Sequence, residues 1–442
     1  MNNPPHWLQS LGNGLFTRLY LAQAINLLGD SLTWLGLALL AFELAGKESG
    51  SLLAGALTLR VLAFVVLSPI AGVLADRVDR KALMITTHIA RMGIVCLFPF
   101  VTQIWQIYGL VLLLNVFSAF FTPTYTATIP LVTQPEERPG AIALSSATYQ
   151  LLGVLGPGLA GGIAAWVGTR QVFFLDGLTF LIAAVLIMGL PGQKMVSQPQ
   201  ANTVQGKWQD IQTGSRCLWL DAPLRYALFL QLIAAIAGAE ILVNTVGYVQ
   251  GPLGLGQVEY GWLMAAFGIG ATGASIGLGR LGRRFNSIIV MSLGALLITL
   301  AILPVTLMPL GGLVLLWTLA GMGQTFVNLP TQNLIADRVA VEIQGRVYGA
   351  HFAWSHLWWA FAYPLAGGLG RVAFPYHFLW SGLLSLVLLS IGYLVYRPQQ
   401  LVQYQAGLWH DHEHHHQGEH YHSHPANPAI SHSHLHFHSS LD

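Results

Sequence analysis

Three pairs of polar side chains, Asn26 with Asp30, Glu240 with Asn244, and Asn328 with Gln332, stand four residues apart inside long apolar stretches. That spacing puts both members of a pair on one face of a helix. Ionisable groups in such surroundings are costly and for that reason often functional. Asp30 and Glu240 are carboxylates able to ligate a divalent cation or exchange it for a proton, with His88, His351 and His356 as candidate nitrogen donors. Structural readings stand beside these: Asp30 could pair with Arg91 to fix helix packing, and Asp176 and His88 could serve packing alone. Glu240 lies among alanines and glycines with no cation nearby in sequence. His351 and His356 are five residues apart, about 140° around a helix, an angle at which they do not grip one ion together.

A second constellation closes the chain. Twelve of the 17 histidines lie between His410 and His438: His410, His412, His414, His415 and His416, then His420, His422 and His424, then His432, His434, His436 and His438. In extended chain alternate residues face one side, so this spacing offers several imidazoles to one ion, with Asp411, Glu413 and Glu419 adding carboxylates. Pro425 and Pro428 oppose a helix. Neutral imidazole suits nickel, cobalt, zinc and copper, and the lack of cysteine argues against a soft thiolate site. The interrupted, acidic pattern is unlike a purification tag. A low-complexity end with no part in transport is the competing reading.

These residues need elements to position them, and composition says which. Of 442 residues 54% are hydrophobic and 9% charged, and apolar runs of about 20 residues recur from residue 15 to residue 396. Each can cross a hydrocarbon core of roughly 30 Å. Long runs without alternation imply helices and exclude a barrel. The fold class is therefore an all-α membrane protein. Twelve spans are expected, near 16–42, 52–75, 83–101, 105–128, 141–167, 171–190, 224–249, 260–279, 287–306, 311–335, 347–369 and 374–396. They form an N-terminal six-helix half (1–190), a connection (191–223), a C-terminal six-helix half (224–396) and a His-rich tail (397–442). An internal repeat supports the division: Pro123-Thr124 recurs as Pro330-Thr331, Arg138-Pro-Gly-Ala as Arg346-Val-Tyr-Gly-Ala, and Arg77-Val-Asp-Arg80-Lys81 as Arg280-Leu-Gly-Arg283-Arg284, as duplicated units do in secondary transporters.

Basic residues crowd the loops after even-numbered spans, whereas the opposite loops hold only Lys47, Arg170 and Arg371. The positive-inside rule makes the crowded side, both termini and the tail cytoplasmic. The first apolar stretch is too long for a cleaved signal and reads as the first span. Cys96 and Cys217 form no paired framework. A formal charge of +2 is too small for nucleic-acid binding.

Gly72-Val-Leu-Ala-Asp76-Arg77-Val-Asp79-Arg80-Lys81, between spans 2 and 3, resembles the loop signature of the major facilitator superfamily, departing at Asp79 where the family has glycine. The resemblance implies twelve helices with spans 1, 4, 7 and 10 around a central cavity, which would receive the three polar pairs and Asn115. It also implies a cytoplasmic clasp built from Asp76, Arg77 and Arg80. Span 5 carries Gly156-Pro157 within a glycine-rich run similar to the signature of proton-coupled exporters, and equally suited to close helix packing. With its histidine tail, the chain resembles the bacterial nickel-resistance exporters of this superfamily.

The leading expectation is proton-antiport efflux of a divalent metal, nickel foremost and cobalt second, by a monomer in a bacterial inner membrane. It needs no cofactor beyond the transported ion; its partners are lipid, metal and protons. A drug exporter of macrolide type is the alternative, and a membrane metal sensor the second. No phosphate loop, HExxH or nucleophile elbow points to an enzyme.

Overall fold

The computed structural model describes residues 11–75, 78–134, 137–191, 204–281, 285–402, 407–415 and 431–439. Twelve long helices among them follow the expected spans. The first half contains α1 (Gly14–Ala45), α2 (Ser49–Ala75), α3 (Arg80–Val95), α4 (Ile104–Val132), α5 (Arg138–Val167) and α6 (Gln171–Met188). The connection carries α7 (Val204–Leu220). The second half contains α8 (Ala222–Gln250), α9 (Gln257–Leu281), α10 (Ser287–Ile302), α11 (Leu310–Arg338), α12 (Val341–Val372) and α13 (His377–Tyr396). A short α14 (Pro398–Val402) leads to strands β1 (Gly407–His415) and β2 (Ser431–Ser439), which pair antiparallel. The membrane portion is all-helical, and the tail adds one two-stranded ribbon.

Local chemistry sets the helix ends. Asn13 caps α1 by accepting from the amides of Leu15 and Phe16, and Gly46, at φ 52°, takes the left-handed turn that ends it. Asp221 caps α8 and Asn286 caps α10 in the same way. Asp79 settles the departure noted in the loop signature: at φ −61° it needs no glycine freedom, and its carboxylate caps α3 through the amides of Lys81 and Ala82.

Polarity is arranged inside out. Large apolar side chains such as Trp166 (89% exposed), Leu394 and Val66 point outward, a surface suited to lipid and not to water. Arg91, Asp176, Glu240 and His377 are buried among the helices.

The halves meet where α5 packs on α9 and α2 on α12. Because each half has an even number of spans, both termini lie at one end of the bundle. The close approaches between halves lie at the opposite end. A methyl on Gly161 of α5 would sit 2.7 Å from the Gly261 Cα of α9, and Ser51 Oγ of α2 donates to the Gly367 carbonyl of α12 at 3.0 Å. A crevice of about 570 Å³ lies along this second seam, lined by Ser51, Thr58, Tyr108, Gly367 and Arg371 among others. Backbone against backbone leaves no rotamer to yield. Gly161→Val is therefore expected to hold this end apart, raising the labelling rate of a cysteine introduced at Ser51 and reducing transport to background.

Candidate functional site

The first half holds one buried ionic cluster. Arg91 of α3 reaches across to α1, where its guanidinium donates to Asp30 Oδ1 at 2.6 Å and to Asn26 Oδ1 at 3.0 Å. It also lies 4.2 Å from the Phe180 ring centroid, a cation–π contact with α6. Asp30 is thus held by the arginine that the packing reading named. Asp176 of α6 is fully buried and accepts from Thr33 Oγ1 of α1 at 2.5 Å and from Thr179 Oγ1 at 2.9 Å. His88 lies below Arg91, its ring 4.5 Å from that of Phe121, and neither ring nitrogen has a partner among the described residues. Gly156 of α5 lets that helix press on Ser31, next to Asp30.

The second half holds a different cluster. Glu240 of α8, with no exposed surface, accepts from or donates to His377 Nδ1 of α13 at 2.6 Å. Asn244, one turn on, donates to Glu240 Oε1 and to the Ala366 carbonyl of α12, both at 2.8 Å. Its side-chain oxygen touches the backbone of Gly50 on α2 and Gly370 on α12, where a Cβ would collide with it. Glu240, which has no cation nearby in sequence, thus meets an imidazole brought from another helix. His377 escaped notice because it sits at the end of a span 137 residues away, outside any recognisable spacing.

The remaining candidates scatter. Asn115 turns back on its own helix, donating to the Val111 carbonyl. Asn328 accepts weakly from Gln231, whose oxygen meets His351 Nε2 at 2.9 Å, so α8, α11 and α12 share a small polar node. The Gln332 carbonyl accepts from Tyr348. His356 bonds the Phe352 carbonyl of its own helix and stacks on that ring. His351 and His356 thus engage different partners. Three pairs that look alike in sequence end in unlike surroundings.

Pro157 lies in helical backbone well along α5; at the terminal end Gly72 also lies in helical backbone, whereas Asp76 and Arg77 fall outside the described residues. Arg80 is buried, and Lys81 Nζ donates to the Leu190 carbonyl at 2.6 Å. The second half has its own clasp. Arg338, closing α11, makes a forked pair with Asp221 at 2.7 to 3.0 Å, geometry in which guanidinium and carboxylate bind most strongly. Trp409 of β1 donates to the same carboxylate at 3.0 Å, and its carbonyl accepts from Ala340 N at 2.8 Å. The tail is therefore seated on this clasp. In the ribbon, His410 is opposite His436, His412 opposite His434 and His414 opposite His432; His415 and His438 also fall on the strands. His416, His420, His422 and His424 fall outside the described residues.

Beside the clasp, burial in α7 and the nearby Asp221 carboxylate push the Cys217 thiol up to about 12. A raised folded value stabilises the fold fully below the thiol's ordinary value near 9, and that contribution is lost as pH rises toward 12. Only thiolate reacts, so maleimide labelling of Cys217 at pH 8 is expected on the order of a thousandfold slower than after unfolding. Labelling at the unfolded rate would contradict this environment.

The profile of the Major Facilitator Superfamily matches residues 19–363 and, overlapping, 227–411. The uncharacterized MFS-type transporter YfiS of Bacillus subtilis strain 168 is 31% identical over 353 residues, covering 76% of this chain and 82% of that protein. The multi-drug resistance efflux pump PmrA homolog of Lactococcus lactis is 33% identical over 132 residues, 30% of this chain and 32% of that one. Among solved structures, a bacterial homolog of the human lysosomal transporter Spinster, inward-facing and unoccupied, superposes with a TM-score of 0.67 at 14% identity, covering 91% of this chain and 99% of that one. At that identity the likeness speaks for the fold alone.

Proposed function

The chain belongs to the major facilitator superfamily and is a multi-pass membrane transporter, and from that premise we propose that it exports amphipathic organic compounds in exchange for protons. The carrying observation is Glu240, a carboxylate with no exposed surface that is bonded to Asn244, whose side chain lies against α2 and α12 at the seam between the halves. The sequence carries no phosphate-loop motif, and a buried carboxylate can accept and release a proton drawn from an ion gradient. The relative named as a multidrug pump, matched over a third of its length, supports an organic substrate. Asp30 with Arg91 supplies the polar counterpart in the first half, and Asn328, Gln231 and His351 offer hydrogen-bonding groups for substrate. Basic loops orient the termini toward the cytoplasm.

The experiment is accumulation of ethidium and erythromycin in cells lacking their own pumps, with and without an uncoupler. Lower accumulation of either compound, abolished by the uncoupler, supports the reading; equal accumulation with and without the protein rejects it.

A second reading, efflux of nickel or a similar ion, draws on the ribbon, whose register sets histidine opposite histidine at three successive same-face positions. There the tail would capture cytoplasmic metal beside the pore, raising its local concentration. Cellular nickel measured for the intact chain and for a chain ending at Arg397 tests it. Nickel lowered only by the intact chain favours metal, whereas unchanged nickel with lowered ethidium leaves the tail an accessory.

A further inference from the structure

We propose that Glu240 and His377 hold one exchangeable proton between them, and that Asn244 ties its presence to the seal between α2 and α12. This rests on the proton-driven reading above and names the group that carries it.

The geometry starts with the 2.6 Å contact of Glu240 Oε1 and His377 Nδ1, both side chains out of reach of water. A carboxylate and an imidazole at this distance share one proton as a neutral couple, whichever atom carries it. Losing that proton to water leaves one negative charge in a dry site, a state that must be hydrated or repacked. The other two atoms of the couple, Glu240 Oε2 and His377 Nε2, are buried without a hydrogen-bond partner among the described residues. So are Ser381 Oγ and Ser385 Oγ, one and two turns along α13. Mid-helix hydroxyls usually bond back to the carbonyl four residues earlier, as Thr245 and Ser390 do here. Ser381 and Ser385 do not. These four polar groups, on neighbouring faces of α8 and α13, run in a row from the couple along the helix, the groups that hydration would have to reach for the proton to leave.

Few other groups compete. Tyr248 of α8 stands edge-on to the His377 ring at 6.0 Å and bonds the Val305 carbonyl after α10. Phe374 stacks on His377 from the α12–α13 turn, with the Lys47 ammonium of the α1–α2 turn 6.0 Å beyond it. Trp317 of α11 reaches only Phe378. From α12 the contact is the Ala366 carbonyl, through Asn244.

Asn244 gives the couple its leverage. Its amide is divided between Glu240 and α12 while its oxygen wedges against Gly50 and Gly370 beside the Ser51 to Gly367 bond. A deprotonated couple draws that amide away from Ala366, and the seam loosens. The proton-loaded couple thus belongs with this end closed and the proton-free couple with it open, the order an antiporter requires.

The test is the distance between spin labels on Glu48→Cys and Val372→Cys, across the seam, in the full chain in proteoliposomes from pH 5 to pH 9, with Cys96 and Cys217 replaced by alanine. The expected result is one single-proton transition, short at low pH and long at high pH. In His377→Gln its midpoint shifts by a unit or more, a tenfold change in proton affinity, and in Glu240→Gln the distance stays short throughout. Asn244→Leu, which keeps the couple, is expected to uncouple distance from pH. Elution as a monodisperse peak confirms that each variant is folded. A pH-independent seam in the parent, or a His377→Gln variant titrating like the parent, overturns the inference. A normal transition in a protein that moves no ethidium leaves this couple standing and rejects the substrate reading instead.

Discussion

Glu240→Gln is expected to reduce uncoupler-sensitive efflux to the level of empty vesicles while the protein still folds. Glutamine keeps the shape of the side chain and can still meet His377 and Asn244. What it cannot do is release a proton. Glutamine cannot ionise in this dry site, so the variant should unfold at a temperature no lower than the parent. Transport driven by a pH gradient in proteoliposomes is the measurement. Efflux at the parental rate would remove Glu240 from the coupling mechanism, whatever the substrate.

Arg91→Met carries the largest expected cost in stability. The guanidinium satisfies Asp30 and Asn26 together and rests on Phe180. Removing it leaves a carboxylate facing an apolar interior, which costs about 3–5 kcal/mol when such a pair is fully buried. Asp30 retains 30% side-chain exposure, so the lower end of that range applies. Asp30→Asn combined with Arg91→Met removes the orphaned charge and should recover most of the loss, because both partners become neutral. Thermal unfolding followed by tryptophan fluorescence checks both. If the double variant is as unstable as Arg91→Met alone, the pair is not what holds α1 to α3.

The two clusters differ in their use of burial. In the first half a permanent cation anchors the carboxylate, and the arrangement is stable at any pH at which the carboxyl is ionised. In the second half the partner is histidine, the side chain whose charge changes most easily near neutrality. The pseudo-symmetry of the halves therefore extends to the helices and not to the chemistry between them. One half suits an anchor, and the other suits a switch.

The tail contributes at the opposite end. Trp409 shares the Asp221 carboxylate with Arg338, so the segment bearing the histidines touches the residue that caps α8, the helix of Glu240 and Asn244. The contact at Trp409 gives the tail a structural place whether the substrate is organic or a metal ion.

Hydropathy alone determined the all-helical class and where the long helices run, because in lipid every backbone group must be satisfied within its own segment. The loop signature and the repeat added the family. Sequence spacing also found Asp30, Glu240 and Asn244, since polarity inside an apolar run is visible wherever the chain is read. Partners are another matter. Arg91, 61 residues from Asp30, was one partner the sequence could offer, but nothing in its spacing led from Glu240 to His377, 137 residues away, or from Asp221 to Arg338, 117 away. Helical periodicity reports which residues share a face, but a helix can turn that face toward any neighbour. Only the packing of α1 and α3 on α6, and of α8 on α13 and α12, decided that one carboxylate meets an arginine, that the other meets a histidine, and that Asn115, of the same type as Asn244, spends its amide on its own helix.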